Sequence, residues 1–236
     1  MSGYVAWKGW QTGDFGSCSP EQAAYFEHEF RSSGIRSVNG LAVGELGYGN
    51  GSCAGWVRRS GGSWVGREAI RELQERAEQA GYKVVPPGHD FADICGVGKL
   101  DVLLAFDVLE HLELEVFRAF LKEASVALRS GGLLVFRVPS GDSPFSGAIY
   151  CGDLTHRLLL GSAAVRQLAN ESGFEVVQVR SPAFPVAGLG AVRLLRRAVA
   201  RAVQRCAYAF IRNVLMSERT AVVSPNMLVV LRNRTL

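Results

Sequence analysis

Beyond Gly34 the chain alternates short runs rich in β-branched and aromatic residues with amphipathic segments, and no other sequence feature constrains the fold as tightly. Such alternation is the pattern of a parallel sheet, because each helical segment carries the chain back to begin the next strand in the same direction. Strand character falls at residues 37–45, 63–68, 83–86, 100–106 and 132–138. Helical spacing falls at 52–59, 69–80 and 113–128, the last closed by "RSGG", which reads as a C-cap. A helix over 162–172 ends at Gly173, "FEVVQVRS" follows as a strand, and "NMLVVLRN" makes a seventh. Two closing strands with no ordinary crossover between them imply an antiparallel hairpin at the sheet edge, interrupted by an insertion at about 188–216. The expected class is α/β: a seven-stranded, mostly parallel sheet with an antiparallel last strand and helices on both faces.

The 236 residues, 48% of them hydrophobic, suffice for one sizeable domain with an appendage and would be cramped as two. Residues 20–31, "PEQAAYFEHEFR", have helical spacing with acidic residues in the first turns, which suits the positive end of a helix dipole. With the Trp- and Gly-rich stretch ahead of it, this segment reads as an N-terminal arm and lid, residues 1–33, set on a domain of residues 34–236. The five cysteines are odd in number and lack zinc-knuckle spacing, so a reducing cytoplasm is expected. Neither a secretion signal nor an uncharged apolar run of membrane-spanning length is visible. A net charge of +4 is too mild to argue for nucleic acid, and none is expected as a partner.

The turn after the first strand, "GELGYGNG", spaces Gly47, Gly49 and Gly51 two apart behind Glu45. Glycines between a strand and a helix let backbone approach a ligand closely and turn the helix N-terminus toward it. A nucleoside triphosphate would need the P-loop lysine and Ser/Thr, but Gly51 is followed by "SCAG". A dinucleotide remains open on this loop alone, since "GNGSCA" fits G-x-G-x-x-A and Glu68 lies about twenty residues on. S-adenosylmethionine is the third candidate. It carries a sulfonium, an ammonium and a carboxylate but no phosphate, and calls for an acid near the loop, where Glu45 stands. Glu45 as a helix-capping or surface acid is the plainer alternative.

Taken together, these motifs resemble the class I S-adenosylmethionine-dependent methyltransferases, with their Rossmann-like fold. "VGELGYGNG" looks like the family's first motif, and "WVGREAI" occupies the place of its second. "LDVLLAFDVLEHL" is similar to the strand-four signature of the ubiquinone-biosynthesis-like branch, and "LRSGGLLVFRVPS" to its fifth-strand turn, with Ser130 standing in for proline. The resemblance implies S-adenosylmethionine as cofactor and S-adenosylhomocysteine as product. It places the methionine part against Glu45, Gly47, Tyr48, Gly49 and Gly51, the ribose on Glu68, the adenine amino group near Asp90, and Phe106 and Asp107 at the end of strand four. Arg67 beside Glu68 leaves that register open by one residue.

Transfer of methyl to a hydroxyl needs the acceptor's proton removed, and histidine is the side chain most readily set for that near neutral pH. His28 lies among glutamates on the first helix and reads as solvated, while His89 adjoins the adenine acid. His111 follows Glu110 in "LEHL", at the sheet edge where open α/β sheets bind ligands; a loop-ordering role is equally open. The long segment after strand five carries Asp142, Tyr150, Asp153 and His156. His156 is the candidate general base, with Asp153 and His111 as catalytic partners; Asp153 capping a turn over a packed His156 is the alternative. Tyr150, Asp142 and Trp10 are candidates for acceptor binding. No spacing demands a metal, and none is assigned.

"GDLTH" resembles a sequence found in methyltransferases of bacterial polysaccharide clusters, which implies a sugar or glycan acceptor, including a lipid-linked one. A small aromatic, quinone or other natural-product acceptor is the alternative, with Trp7 and Trp10 able to stack a ring. A cofactor-binding partner subunit without turnover is a third reading. Between Glu175 and Glu218 there is no acidic residue, and Val192, Leu195, Val199, Val203, Cys206, Phe210 and Val214 recur at helical spacing opposite a face of arginines. Such a helix packs its apolar side on its own sheet edge or on a twin subunit, or lies on an anionic membrane surface; the last places a cytoplasmic protein at the membrane's inner face.

Overall fold

The computed structural model describes residues 5–6, 8–10, 14–183 and 191–234. Trp7 and residues 188–190 of the expected insertion lie outside them. Helix α1 (Pro20–Ser32) leads into β1 (Ala42–Leu46), α2 (Ser52–Arg59), β2 (Ser63–Arg67), α3 (Arg71–Gln79), β3 (Lys83–Val84) and α4 (Phe91–Cys95). Then follow β4 (Leu100–Phe106), a 3-10 turn (Leu109–His111), α5 (Leu114–Ala127), β5 (Leu128–Pro139), α6 (Gly147–Tyr150), α7 (Ser162–Glu171), β6 (Phe174–Arg180), α8 (Ala191–Phe210) and β7 (Asn226–Asn233).

The seven strands form one sheet in the order β3-β2-β1-β4-β5-β7-β6. β1 through β5 run parallel, and β7 is antiparallel to both β5 and β6. Strand order reverses between β1 and β4, and the cleft beyond the carboxyl ends of these two strands is where open α/β sheets place ligands. Period-two alternation feeds two apolar layers. Leu103, Leu134, Phe136 and Val229 face one side with Phe117 and Leu121 of α5, while Val102, Leu104, Val135 and Leu228 face the other with Phe26 and Phe30 of α1.

Two differences from the sequence pattern have a visible local cause. Residues 37–41 precede β1 as a turn, because Gly40 has φ +76° and the Asn39 amide donates to Ser37 Oγ. "RSGG" does not cap a helix: Leu128 after α5 is already extended, and residues 129–132 form an irregularity between the pairs Leu100 to Leu128 and Val102 to Leu133.

α1 starts on a capping box, Ser19 with Gln22, and has Pro20 at its first turn. It is tied down by Glu29, which is fully buried: Arg180 pairs with one carboxylate oxygen and the Ala183 amide donates to the other at 2.6 Å. α8 differs from the expectation that its apolar side packs on the sheet edge. Val192, Leu195, Val199, Val203, Phe210 and Val214 are all more than half exposed, while Arg197 reaches Glu21 of α1 at 3.0 Å. Among the described residues no helix is long and apolar enough to cross a membrane.

Candidate active site

Gly47, Gly49 and Gly51 hold φ of +70°, +53° and +75°, a backbone course that residues with a Cβ adopt only under strain. Their bareness also admits the N-terminal arm. A Cβ on Gly51 would lie 2.3 Å from the Phe15 ring, one on Gly49 3.0 Å from the Trp10 indole, and one on Gly47 2.5 Å from Val108. Phe15 completes a cluster of edge-on rings with Tyr48, Trp64 and Tyr82, and the Gly16 amide donates to Asn50 O at 3.0 Å. Trp10, Phe15 and Gly16 therefore pack on the glycine loop.

Glu45, the penultimate residue of β1, is buried, and its Oε2 accepts the Trp64 indole N–H at 2.8 Å. Burial pushes its carboxyl up to about 8, with the Trp64 hydrogen bond opposing. Glu68 is the first residue past β2. It accepts the Gly49 amide at 3.1 Å on one oxygen, and the Ala69 and Ile70 amides at 2.8 and 3.2 Å on the other. Neighbouring Arg67 instead pairs with Glu123 at 2.8 Å.

Two cavities flank the loop and share Gly47. One, of about 580 Å³, lies between Glu68, Val85, His89, Val108 and Phe120. The other, of about 460 Å³, is bounded by Trp10, Tyr25, Glu45, Tyr48, Phe106 and Asp107. Asp90 lines neither. Its side chain caps α4 by accepting the Asp93 amide at 3.0 Å, and His89 occupies the lining position beside it. Arg137 of β5 also borders the second cavity; it pairs with both oxygens of Asp107 and donates to Tyr25 Oη at 2.6 Å. Burial would lower the Arg137 pKa, but Asp107 outweighs it and holds the guanidinium charged. Burial raises the Tyr25 phenol to about 12. Asp107 itself has φ +55°, a strained course for a residue with a side chain.

A third cavity, of about 270 Å³, adjoins the second through Lys8 and Asp107, and contains Glu110, His111, Asp153 and His156. The two imidazoles lie 4.7 Å apart between centroids, and His156 Nε2 is 3.9 Å from Glu110 Oε1. His156 Nδ1 donates to the Tyr150 carbonyl at 2.8 Å, and the Tyr150 ring stacks on it. A carbonyl only accepts, so the proton sits on Nδ1 and the lone pair on Nε2. Thr155 Oγ1 gives its one proton to Asp153 Oδ1 at 2.5 Å and so accepts from His111 Nδ1 at 2.8 Å, leaving that lone pair on Nε2 as well. Burial acts to raise Asp153, but hydrogen bonds from Thr155 and Lys8 overcome it and bring the acid to about 2. Burial and His156 lower the His111 pKa. Burial and Asp107 raise Glu110 to about 8.

Asp142 stands apart from these cavities. It accepts the Ser162 amide at 3.1 Å, where α7 begins, and the Val222 amide at 3.0 Å, tying the loop after β5 to the approach to β7. Glu110, Lys8, Tyr25 and Arg137 are among the site-lining residues that motif reading did not assign. Arg137 carried a visible signal, a lone charge inside the apolar run "LLVFRVP".

A family profile described as a methyltransferase domain matches residues 39–179. No curated protein sequence matches the chain. Among solved structures, an S-adenosylmethionine-dependent methyltransferase from Archaeoglobus fulgidus shares 16% identity over 88% of this chain and 97% of its own, with a TM-score of 0.59. A 1,6-didemethyltoxoflavin N1-methyltransferase from Burkholderia thailandensis, bound to that compound and S-adenosylhomocysteine, shares 14% over 99% and 83%, at 0.56. The magnesium protoporphyrin IX methyltransferase of Synechocystis PCC 6803, bound to S-adenosylmethionine, shares 12% over 99% and 92%, at 0.53.

Proposed function

Because the chain belongs to the methyltransferase domain family, an S-adenosylmethionine-dependent enzyme family, we propose that it moves the cofactor's methyl group to a hydroxyl of a sugar or glycan. S-adenosylmethionine is the cofactor and S-adenosylhomocysteine the product. The observation that supports the acceptor chemistry is adjacency: Asp107 and Lys8 border both the cavity beside the glycine loop and the cavity of the histidines. In this reading Glu68 grips the ribose, and Glu45 with the loop amides meets the methionine end, its carboxyl ionising as the cationic groups arrive. When bound, the cofactor would supply an electrophilic methyl whose carbon–sulfur pair stays on sulfur, and His156 Nε2 would take the proton of an acceptor hydroxyl held in line with it. Tyr150 and Asp153 hold the two histidines in that tautomer.

The test is a screen of hydroxyl-bearing sugars, nucleotide sugars and lipid-linked glycans with labelled cofactor, reading methyl ether formation by mass. Methylation confined to nitrogen or carbon of aromatic compounds would overturn the hydroxyl reading. It would favour the aromatic alternative, for which Trp10, Tyr25 and Tyr48 in the second cavity offer ring contacts.

For α8 the proposed surface is an anionic bilayer. Its apolar stripe is exposed from Val192 to Phe210, and every charge on the helix is an arginine. Sedimentation with anionic vesicles, lost with neutral ones, is expected. Equal sedimentation with both, or concentration-dependent dimerisation without lipid, would contradict it.

A further inference from the structure

We infer that Glu110, His111 and His156 form a binding site for one divalent transition-metal cation. One ligand atom from each lies within 4.8 Å of the others, at the wall of the third cavity. Ligands about 2.1 Å from a common ion lie roughly 3 to 4 Å apart, so closing on a cation needs side-chain shifts below about 1 Å.

Two further observations point to a cation. Glu110 is only 3% exposed, yet its Oε2 has no hydrogen-bond partner. A buried carboxylate oxygen without a donor is costly, and a cation in the adjoining cavity removes that cost. The second is the arrangement behind the imidazoles. Metal-bound histidines characteristically donate their far N–H to a carbonyl or carboxylate, which fixes ring and tautomer. Here His156 donates to the Tyr150 carbonyl, and His111 donates to Thr155, which is itself anchored on the Asp153 carboxylate. Both rings are therefore held with Nε2 as the free-electron-pair nitrogen.

Two imidazoles and one carboxylate suit manganese, iron, cobalt or zinc better than magnesium, which favours oxygen ligands. Three protein ligands leave positions for solvent or an acceptor. The cation's role, unlike its location, rests on the hydroxyl reading above. An acceptor hydroxyl on the ion is acidified, its proton passes to water at the open side of the cavity, and the resulting alkoxide attacks the methyl carbon as the carbon–sulfur pair returns to sulfur. In that state His156 acts on the acceptor through the cation instead of taking the proton itself.

The experiment is titration of chelator-treated, full-length protein with Co²⁺, read by its visible ligand-field bands and by metal analysis after gel filtration. The expected result is about one equivalent per chain, with affinity falling at least tenfold in both Glu110→Gln and His156→Ala. S-adenosylhomocysteine binding in each variant reports that it is folded. Absence of Co²⁺ and Mn²⁺ binding to the unsubstituted protein, or unchanged affinity in folded variants, would overturn the inference. Since no acceptor is present, failure here leaves the hydroxyl reading standing, and failure of the acceptor screen leaves the metal site standing.

Discussion

The two sides of Asp107 are built on different principles. On one side the glycine loop presents mainly backbone: three left-handed glycines, the amide N–H groups beside them, and two acids, Glu45 and Glu68, held by Trp64 and by main-chain donors. On the other side the histidine cavity is made of side chains drawn from the turn after β4 and the loop after β5, 45 residues apart between His111 and His156. A backbone site depends on conformation and resists change at few positions, whereas a side-chain site can be rebuilt residue by residue. Two solved structures of the same fold carry different acceptor names, 1,6-didemethyltoxoflavin and magnesium protoporphyrin IX.

The contrast breaks most visibly through His156. His156→Ala is expected to lower kcat by about 10²- to 10⁴-fold at saturating acceptor, whether the ring acts as base or ligand. Unchanged turnover would remove the histidine cavity from the chemistry. On the backbone side, Gly51→Ala adds a Cβ 2.3 Å from Phe15 at φ +75°, and thermal or urea unfolding should show a loss of about 2 to 3 kcal/mol. A loss below about 0.5 kcal/mol would mean that the arm does not press on the loop.

A smaller effect sharpens the electrostatic side. The Glu45 carboxyl stands at about 8 when folded against an ordinary 4.5, so the folded chain holds the extra proton. Stability from this group is complete below about pH 4.5 and declines as pH rises toward 8. Glu45→Gln should remove that decline, leaving the cofactor-free protein about 2 kcal/mol more stable than the parent at pH 8 while weakening cofactor binding. Equal stability of the two at pH 8 would show that Glu45 is solvated.

Much of the first side was legible in the sequence. Residues 52–59, 100–106 and 226–233 were readable to the residue as α2, β4 and β7, because each pairs a clear period with sharp end signals. The glycine spacing was equally readable, since φ above zero leaves few alternatives to glycine. The second side was legible only as a set of candidates. Asp90 and Asp142 read as ligand acids; Asp90, beside a helix start, accepts the Asp93 amide, while Asp142 meets the Ser162 amide, 20 residues on, only through the tertiary fold. The cluster of Glu110 with the two histidines could not be read from spacing, because tertiary contact alone joins "LEHL" to "DLTH". The outward apolar face of α8 was also hidden. Periodicity finds a stripe but not what it faces.

In the proposed arrangement, cofactor binding and acceptor chemistry lie in separate cavities along this edge of the sheet. Calorimetric titration of S-adenosylhomocysteine into the unsubstituted protein, Glu68→Ala and His156→Ala tests it most directly. If Glu68 holds the ribose as proposed, Glu68→Ala should weaken binding by about 10- to 100-fold, and His156→Ala should leave affinity within about twofold. Loss of binding in His156→Ala with none in Glu68→Ala, or binding of NADH in place of S-adenosylhomocysteine, would contradict the account.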